Sequence, residues 1–515
     1  MSILAGGSNL NIANGIREFE VATPNQTAVI DGARSLTYAQ LADRSRRVAN
    51  GLIGAGLQTG SRVALHMGNR LEYFEIACGI AMAGMVIVPV NPRSLSHEVE
   101  YIAGSSDALA LIVDNSLAQY SSTIMSAMKL VWVLDGPRAD RDYEMALAAS
   151  SSRDPRVDVG ELETFCIMYT SGTTGTPKGV QISHRSRVLT FYAAALEWDM
   201  GPDRRSIAVA PLYHGAGFAF GYAGVFTGGT VSVLRTWDPV TLLEMIQRDR
   251  AESMFLVPTH AQTIRAFGED ELRKVDLSSL KTIYFNAAAL PKELKEWVIG
   301  AFPGVGVHEL YGSTEAAVVT DLRPRDAVRK IGSVGKPWFM TELRVVDDAG
   351  DPVRPGEPGE LFARSPYLMS GYLGDPEATA ACTTADGFLT SGDVVILDEE
   401  GFIYVVDRKK DMVISGGLKI YPREVENTIT SHPDVREAAV VGVPSEKWGE
   451  SLAAFVVLNS ETKTTTGDLQ SYVEPLLANF KRPAFWRVVE SLPRNAGGKV
   501  VKRELSLESG QEPFG

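Results

Sequence analysis

The sequence predicts an α/β fold: a large N-terminal domain on a mostly parallel sheet, a small β-rich subdomain, and a small α+β C-terminal domain. Three observations carry this prediction. Short apolar runs alternate with stretches of helical periodicity from residue 27 to residue 298. From Glu342 the texture changes, and strand-like runs follow one another across turns such as Asp348-Ala349-Gly350 with no helix between them. A charged run, Asp407-Arg408-Lys409-Lys410-Asp411, then sets off a last mixed segment. At 515 residues the chain is too long for one core. The expected boundaries are 1–406, with the β-rich part at about 340–406, then 407–411 as a connection and 412–515 as the C-terminal domain.

Residues 27–30 form the first strand, and Thr37 is placed to cap a helix in which Leu41, Val48, Leu52 and Ile53 recur at helical spacing. Strands at 62–65, 85–88 and 109–113 alternate with helices at 72–83 and from His97. Such alternation makes the helices crossovers, so the sheet runs parallel and is covered on both faces. Strands at 165–168 and 180–182 flank a glycine-rich stretch. Further strands fall at 207–210, 231–234, 254–257 and 281–285, with helices at 240–248 and 291–298. The β-rich part takes strands at 343–346, 359–362 and 402–406. The last segment takes a helix at 423–430, strands at 438–443 and 452–458, a helix near 469–477 and a strand at 486–489.

Composition removes several function classes. A hydrophobic content of 45% with 22% charged residues is that of a globular protein. The net charge of -13 argues against a nucleic-acid partner and against a basic membrane patch. Cys78, Cys166 and Cys382 are odd in number and far apart, which fits neither a disulfide framework nor a metal site and suits a reducing, cytoplasmic setting. The longest apolar run, 77–90, holds two glycines and a proline and is too short for a membrane span. Residues 1–20 lack a basic region followed by an apolar core, so no secretory leader is expected, and 513–515 is no peroxisomal signal.

The chemistry centres on residues 169–179, YTSGTTGTPKG, with three glycines, four threonines, a serine and one lysine. Glycine lets successive N–H groups converge, and hydroxyls and a lysine complete a concave anion site. The ligand such a loop suits is a polyphosphate. Two familiar phosphate loops fail the spacing test. Counting from Gly172, the second Walker glycine falls on Pro177, and Lys178 is followed by Gly179. In the dinucleotide fingerprint Thr174 stands at the second glycine.

The stretch closely resembles the phosphate loop of the adenylate-forming superfamily: acyl-CoA synthetases, stand-alone adenylation domains and beetle luciferases. Four more motifs follow in the superfamily's order and cover nearly the whole chain. They are Tyr311-Gly312-Ser313-Thr314-Glu315, Ser391-Gly392-Asp393 with serine for the commoner threonine, DRKKDMVISGGLKIYPREVE at 407–426, and Pro493-Arg494-Asn495-Ala496-Gly497-Gly498-Lys499. One departure is Asn286-Ala287-Ala288-Ala289, where the family commonly has Gly-Gly-Ala-Pro.

The resemblance implies stacked sheets in the large domain and a mobile C-terminal lid. It also implies roles. Thr170, Ser171, Gly172, Thr173, Thr174, Gly175 and Lys178 would hold the phosphates of ATP. Glu315 would hold Mg²⁺, an oxygen-seeking ion that keeps few protein ligands. Thr314 would touch the α-phosphate, and Tyr311, with Gly312 and Ser313, would flank adenine, which Asn286, Ala287 and Ala288 also border. Asp393 would accept the ribose hydroxyls and Arg408 would reach the nucleotide. Lys410 stands at the family's hinge, Gly416 and Gly417 would leave room for a pantetheine arm, and Lys499 would bridge the carboxylate and the α-phosphate. His214, Gly215, Ala216, Phe218 and Ala316 would line the acid pocket, which shows no dedicated cation for a second carboxylate.

The implied reaction joins a carboxylic acid to AMP and then to a thiol, with ATP, Mg²⁺ and coenzyme A as cofactors. Small and apolar pocket residues favour a medium-chain or bulky cyclic acid. Three alternatives share the motifs: transfer to a phosphopantetheinylated carrier protein, release of the adenylate to a partner enzyme, and a luciferase-like oxygenation. A non-catalytic nucleotide sensor is a further reading, opposed by the retention of Glu315 and Lys499. A homodimer is an expectation from the family alone.

Overall fold

The computed structural model describes residues 10–136, 141–170, 177–288, 290–445, 447–459, 462–494 and 500–505. Contacts divide the chain into two compact units. One is Met1–Glu342 with Ala363–Leu389, and the other is Leu343–Phe362 with Thr390–Gly515. Most of the β-rich stretch thus groups with the C-terminal residues, whereas the sequence reading joined it to the N-terminal ones.

The first unit holds two sheets. In the nine-stranded sheet, Gly306–Ser313, Thr282–Phe285, Ser253–Leu256, Arg205–Ala208, Thr230–Val233 and Thr27–Asp31 lie side by side, all parallel. Antiparallel strands close both edges: Ala317–Leu322 with Lys336–Pro337 on one, Arg34–Thr37 on the other. In the seven-stranded sheet, Thr164–Thr170, Val86–Val90, Arg62–His66, Ala108–Asp114 and Leu130–Leu134 run parallel. Lys178–Ser183 and Gly371–Tyr372 extend it antiparallel at one edge. The expected, largely parallel α/β architecture is present.

Local signals account for the helix starts. Thr37 and Gln40 form a reciprocal capping box on Tyr38–Gly54, and the Ser183 hydroxyl accepts from the Ser186 N–H at the start of His184–Trp198. The latter helix packs beside Gly215–Phe226 around an aromatic cluster. The Phe218 ring lies 5.0 Å from Tyr222, 5.5 Å from Phe165 and 6.2 Å from Phe191, centroid to centroid. Rings at these separations add roughly 0.5–1.5 kcal/mol per pair beyond the area they bury.

A charged belt ties the two sheets. Asp31, on the nine-stranded sheet, accepts from Arg235 at 2.7 Å and Arg34 at 2.9 Å. Arg70 pairs with Glu72 at 2.7 Å and with Asp114, on the seven-stranded sheet. Burial alone would raise the Glu72 carboxyl, but Arg70 and Arg34 outweigh it and hold the group at about 2.

The second unit holds a four-stranded sheet in the order Glu342–Val346, Pro358–Arg364, Leu389–Leu397, Ile403–Arg408. It also holds a five-stranded sheet built on the long hairpin Val435–Ser445 and Gly449–Leu458. Helices Pro422–Thr430 and Thr466–Val473 bring Val425, Ile429, Leu469 and Val473 to the core of the latter. One short helix of the first unit, Pro376–Cys382, stands where the sequence predicts only strands; Asp375 caps it, accepting from the Ala378 N–H at 2.8 Å.

Candidate active site

The glycine-rich stretch is the connection of a β-hairpin. Thr164–Thr170 pairs antiparallel with Lys178–Ser183, and the last register pair is Thr170 with Lys178. Ser171, Gly172, Thr173, Thr174 and Gly175 lie outside the described residues, as does Lys499. At the hairpin's mouth Lys178 Nζ sits 5.1 Å from the centre of the Tyr372 ring and 3.5 Å from Asp375 Oδ2. The Tyr372 hydroxyl donates to Glu315 Oε1 at 3.0 Å. Burial, and then the Glu315 carboxylate, push the Tyr372 phenol upward, so it stays a donor at neutral pH. A lysine, a phenol and a carboxylate thus form a continuous chain. Beside it, Tyr101, Ser105, Tyr169, Lys178, Leu373 and Asp375 line a cleft of about 390 Å³.

Glu315 owes its position to a second hairpin. Gly306–Ser313 and Ala317–Leu322 pair antiparallel, leaving Thr314, Glu315 and Ala316 as the connecting loop. The register shifts between Tyr311 and Gly312. A Cβ on Gly312 would fall 1.8 Å from the Ala317 carbonyl oxygen, so only glycine permits this closure. The Ser313 hydroxyl accepts from the Ala316 N–H at 3.0 Å, and Met369 N–H donates to the Glu315 carbonyl at 2.8 Å. Tyr311, Gly312, Ser313, Thr314 and Glu315 are all half-buried. Their oxygen donors, with one carboxylate held by a phenol, fit a hard divalent cation carried on phosphate.

His214 is exposed and precedes the helix Gly215–Phe226, whose first residue approaches the same loop. A Cβ on Gly215 would meet Met168 Sδ at 3.3 Å and Thr314 Oγ1 at 3.9 Å. Ala216 is half-buried, and Phe218 and Ala316 are buried, at 2% and 3% exposure. Asn286, Ala287 and Ala288 follow the strand Thr282–Phe285, with Ala287 in the left-handed region at φ 73°. This is strain for a residue with a Cβ. The loop is pinned from below: Leu290 N–H donates to Glu309 Oε1 at 3.1 Å, and Glu309 is paired with buried Lys295.

In the second unit, Asp393 and Arg408 are register partners on adjacent strands, with Arg408 Nε 3.3 Å from Asp393 Oδ1. Lys410 lies in the single turn Lys409–Asp411 that follows. Gly416 and Gly417, at φ 57° and 81°, turn the hairpin between Val413–Ser415 and Leu418–Ile420. Two consecutive positive φ values are what a tight hairpin demands, and glycine supplies them at no steric cost.

Sequence reasoning missed Tyr372 and Met168. Tyr372 carries no motif of its own; the Asp375-Pro376 helix start three residues on is the signal that marks its segment as ordered. Met168 was read only as strand.

The chain folds as two units, and the first carries a lysine–phenol–carboxylate chain at the mouth of the glycine-rich hairpin. The AMP-binding enzyme family matches residues 16–373, and the AMP-binding enzyme C-terminal domain matches 424–499. A feruloyl-CoA synthase from Amycolatopsis sp is 37% identical, over 95% of this chain and 97% of its own. A 2-succinylbenzoate–CoA ligase from Geobacillus kaustophilus is 35% identical, over 96% and 97%. The ATP-bound crystal structure of MatB from Rhodopseudomonas palustris superposes with a TM-score of 0.88 at 29% identity, over 96% and 98%. The chain belongs to the AMP-binding enzyme family and is an AMP-forming acid–thiol ligase. Among the described residues no helix is long and apolar enough to cross a membrane.

Proposed function

We propose that the protein activates a hydrophobic carboxylic acid, medium-chain or bulky and cyclic, as its acyl-adenylate and passes the acyl group to coenzyme A. The observation that carries this is the chain from Lys178 through Tyr372 to Glu315 at the mouth of the phosphate hairpin.

A carboxylate is a poor electrophile because it is anionic and would have to expel oxide. In the first step its oxygen attacks the α-phosphorus of ATP, the bond from that phosphorus to the bridging oxygen breaks, and pyrophosphate leaves. Lys178 and the hydroxyls of residues 170–176 hold the departing pyrophosphate. Thr314 and Lys499 are the donors for the α-phosphate, where negative charge builds, and fixed donors at developing charge supply much of an enzyme's rate. Bound Mg²⁺ neutralises phosphate charge, and Glu315, oriented by the Tyr372 hydroxyl, is the residue to hold it. Asp393 and Arg408 bind the ribose. In the second step the thiol sulfur attacks the acyl carbon, the thiol proton is lost, and AMP leaves. Gly416 and Gly417 admit the pantetheine arm, and the C-terminal residues turn about Lys410 between steps.

The test is ATP–pyrophosphate exchange across a panel of carboxylic acids, followed by AMP and thioester formation with and without coenzyme A. Acid-dependent exchange with coenzyme-A-dependent thioester is the expected result. Exchange with no coenzyme A product moves the acceptor to a carrier protein or a partner enzyme. No exchange with any acid overturns the reading.

A further inference from the structure

Arg187 lies in the helix His184–Trp198 and is 5% exposed. Its Nε has no hydrogen-bond partner, and among the described residues no carboxylate pairs with it. The Phe218 ring centre lies 6.0 Å from the guanidinium carbon. Burial pushes the guanidinium down only to about 10, so it stays cationic at neutral pH. The Cys166 thiol is within its electrostatic reach, but burial raises that thiol to about 12, so it stays neutral and cannot serve as counter-ion. A buried, uncompensated cation costs several kcal/mol. A fold that keeps one needs a reason outside its own packing.

A second buried donor belongs to a neighbour of the same ring. The Tyr73 hydroxyl also has no partner. Its ring lies 6.3 Å from Phe218, and Cys166 is again its electrostatic neighbour. Two unpartnered polar groups therefore flank one phenylalanine. Phe218 belongs to the helix whose first residue, Gly215, faces Met168 and Thr314. Met168 and Cys166 are two apart on one strand, so their side chains share a face and stand about 7 Å apart along it. Met168 is the one beside Gly215 and Thr314, and Cys166 is the one within electrostatic reach of the Arg187 guanidinium.

We infer that Arg187, with the Tyr73 hydroxyl, recognises an oxygen on the far end of the acid, and that the substrate is a hydrophobic acid bearing a second carboxylate, a phenol oxygen or a ketone there. This rests on the acid-activating reading above and narrows its substrate. It departs from the sequence expectation that the pocket has no dedicated cation, since an arginine inside an apolar helix carries no motif.

The experiment measures acid-dependent ATP–pyrophosphate exchange on matched pairs: cinnamate beside its para-hydroxy and para-carboxy derivatives, and octanoate beside octanedioate. In the wild-type protein the best oxygen-bearing member exceeds its plain partner by at least about 100-fold in kcat/KM, because the plain acid leaves the buried donors unpaired. Arg187→Met collapses that ratio by at least about tenfold and raises the plain partner, and Arg187→Lys falls between. Thermal melting without acid adds a second readout: Arg187→Met melts higher than wild type, having lost an uncompensated charge, whereas an arginine kept for packing would make it melt lower. A wild-type preference for the plain acids, or a ratio that survives both substitutions, overturns the assignment while acid activation stands. No exchange with any acid overturns both.

Discussion

Tyr372 shows what a single side chain adds. It touches the lysine that ends the phosphate stretch and the carboxylate of the second motif, and neither residue alone specifies the other's position. Tyr372→Phe keeps the ring under Lys178 and removes only the bond to Glu315. A hydrogen bond to a charged group contributes about 1.5–3 kcal/mol, so exchange activity is expected to fall at least about tenfold in kcat/KM with the melting temperature little changed. Lys499→Ala is expected to slow adenylation about 10²–10³-fold, by analogy with loss of one oxyanion donor. Thioester formation from synthetic acyl-adenylate should persist, and stopped-flow assay of the two half-reactions separates these effects. Glu315, Asp393 and Arg408 were legible because each lies in a spaced motif. Tyr372, Met168 and Arg187 were not, because what places them is tertiary contact.

At the scale of the element, Gly215–Phe226 is the instructive case. Four of its twelve residues are glycine, which disfavours a helix by roughly 1 kcal/mol each, and the sequence reading treated the stretch as pocket wall. Packing overrides propensity here. A Cβ on Gly217 would lie 1.9 Å from the Pro211 carbonyl oxygen, and one on Gly224 would lie 2.8 Å from Ser206 Oγ. The glycines let the helix backbone settle against its neighbours, and the aromatic residues between them fill the core. Gly217→Ala is expected to destabilise by about 2–4 kcal/mol, as overpacking against backbone does at its upper end, and chemical denaturation should show the midpoint shift. The parallel strands, by contrast, were readable as apolar runs, since strands covered on both faces need no polar side.

Across the whole molecule, acid sensitivity follows from two neutral histidines, His184 buried and His260 half-buried. The Ile12 N–H donates to His184 Nδ1 at 3.3 Å and the Val257 N–H to His260 Nδ1 at 3.4 Å, so both rings are neutral acceptors. Burial lowers each to about 4, against an ordinary 6.5. Between those values the unfolded chain binds protons that the folded one refuses. Stability is therefore full above pH 6.5 and falls as the pH drops toward 4, by up to about 3 kcal/mol per ring. Melting temperature against pH checks this, and His184→Gln should flatten the slope. A second prediction concerns the two half-reactions. If the C-terminal residues turn about Lys410, Lys410→Pro leaves adenylation near wild type and slows thioester formation, so the ratio of the two rates is the measurement. The division into a large parallel α/β part and a small mixed one was visible in the sequence. The attachment of the β-rich strands to the second unit was not, because a run of strands does not reveal its packing partner.

The charged belt between the two sheets also constrains how such a chain can change. Asp31, Arg34, Arg70, Glu72, Asp114 and Arg235 come from separate stretches, yet the carboxylates of Asp31 and Glu72 are buried and balanced only by the others. Each of these two carboxylates has two arginine partners, and losing both strands a buried charge at a cost of about 3–5 kcal/mol, so the positions depend on one another. Recombination with a relative preserves the set when its crossover lies beyond Arg235. An exchange point inside residues 31–235 must carry the matching partners with it.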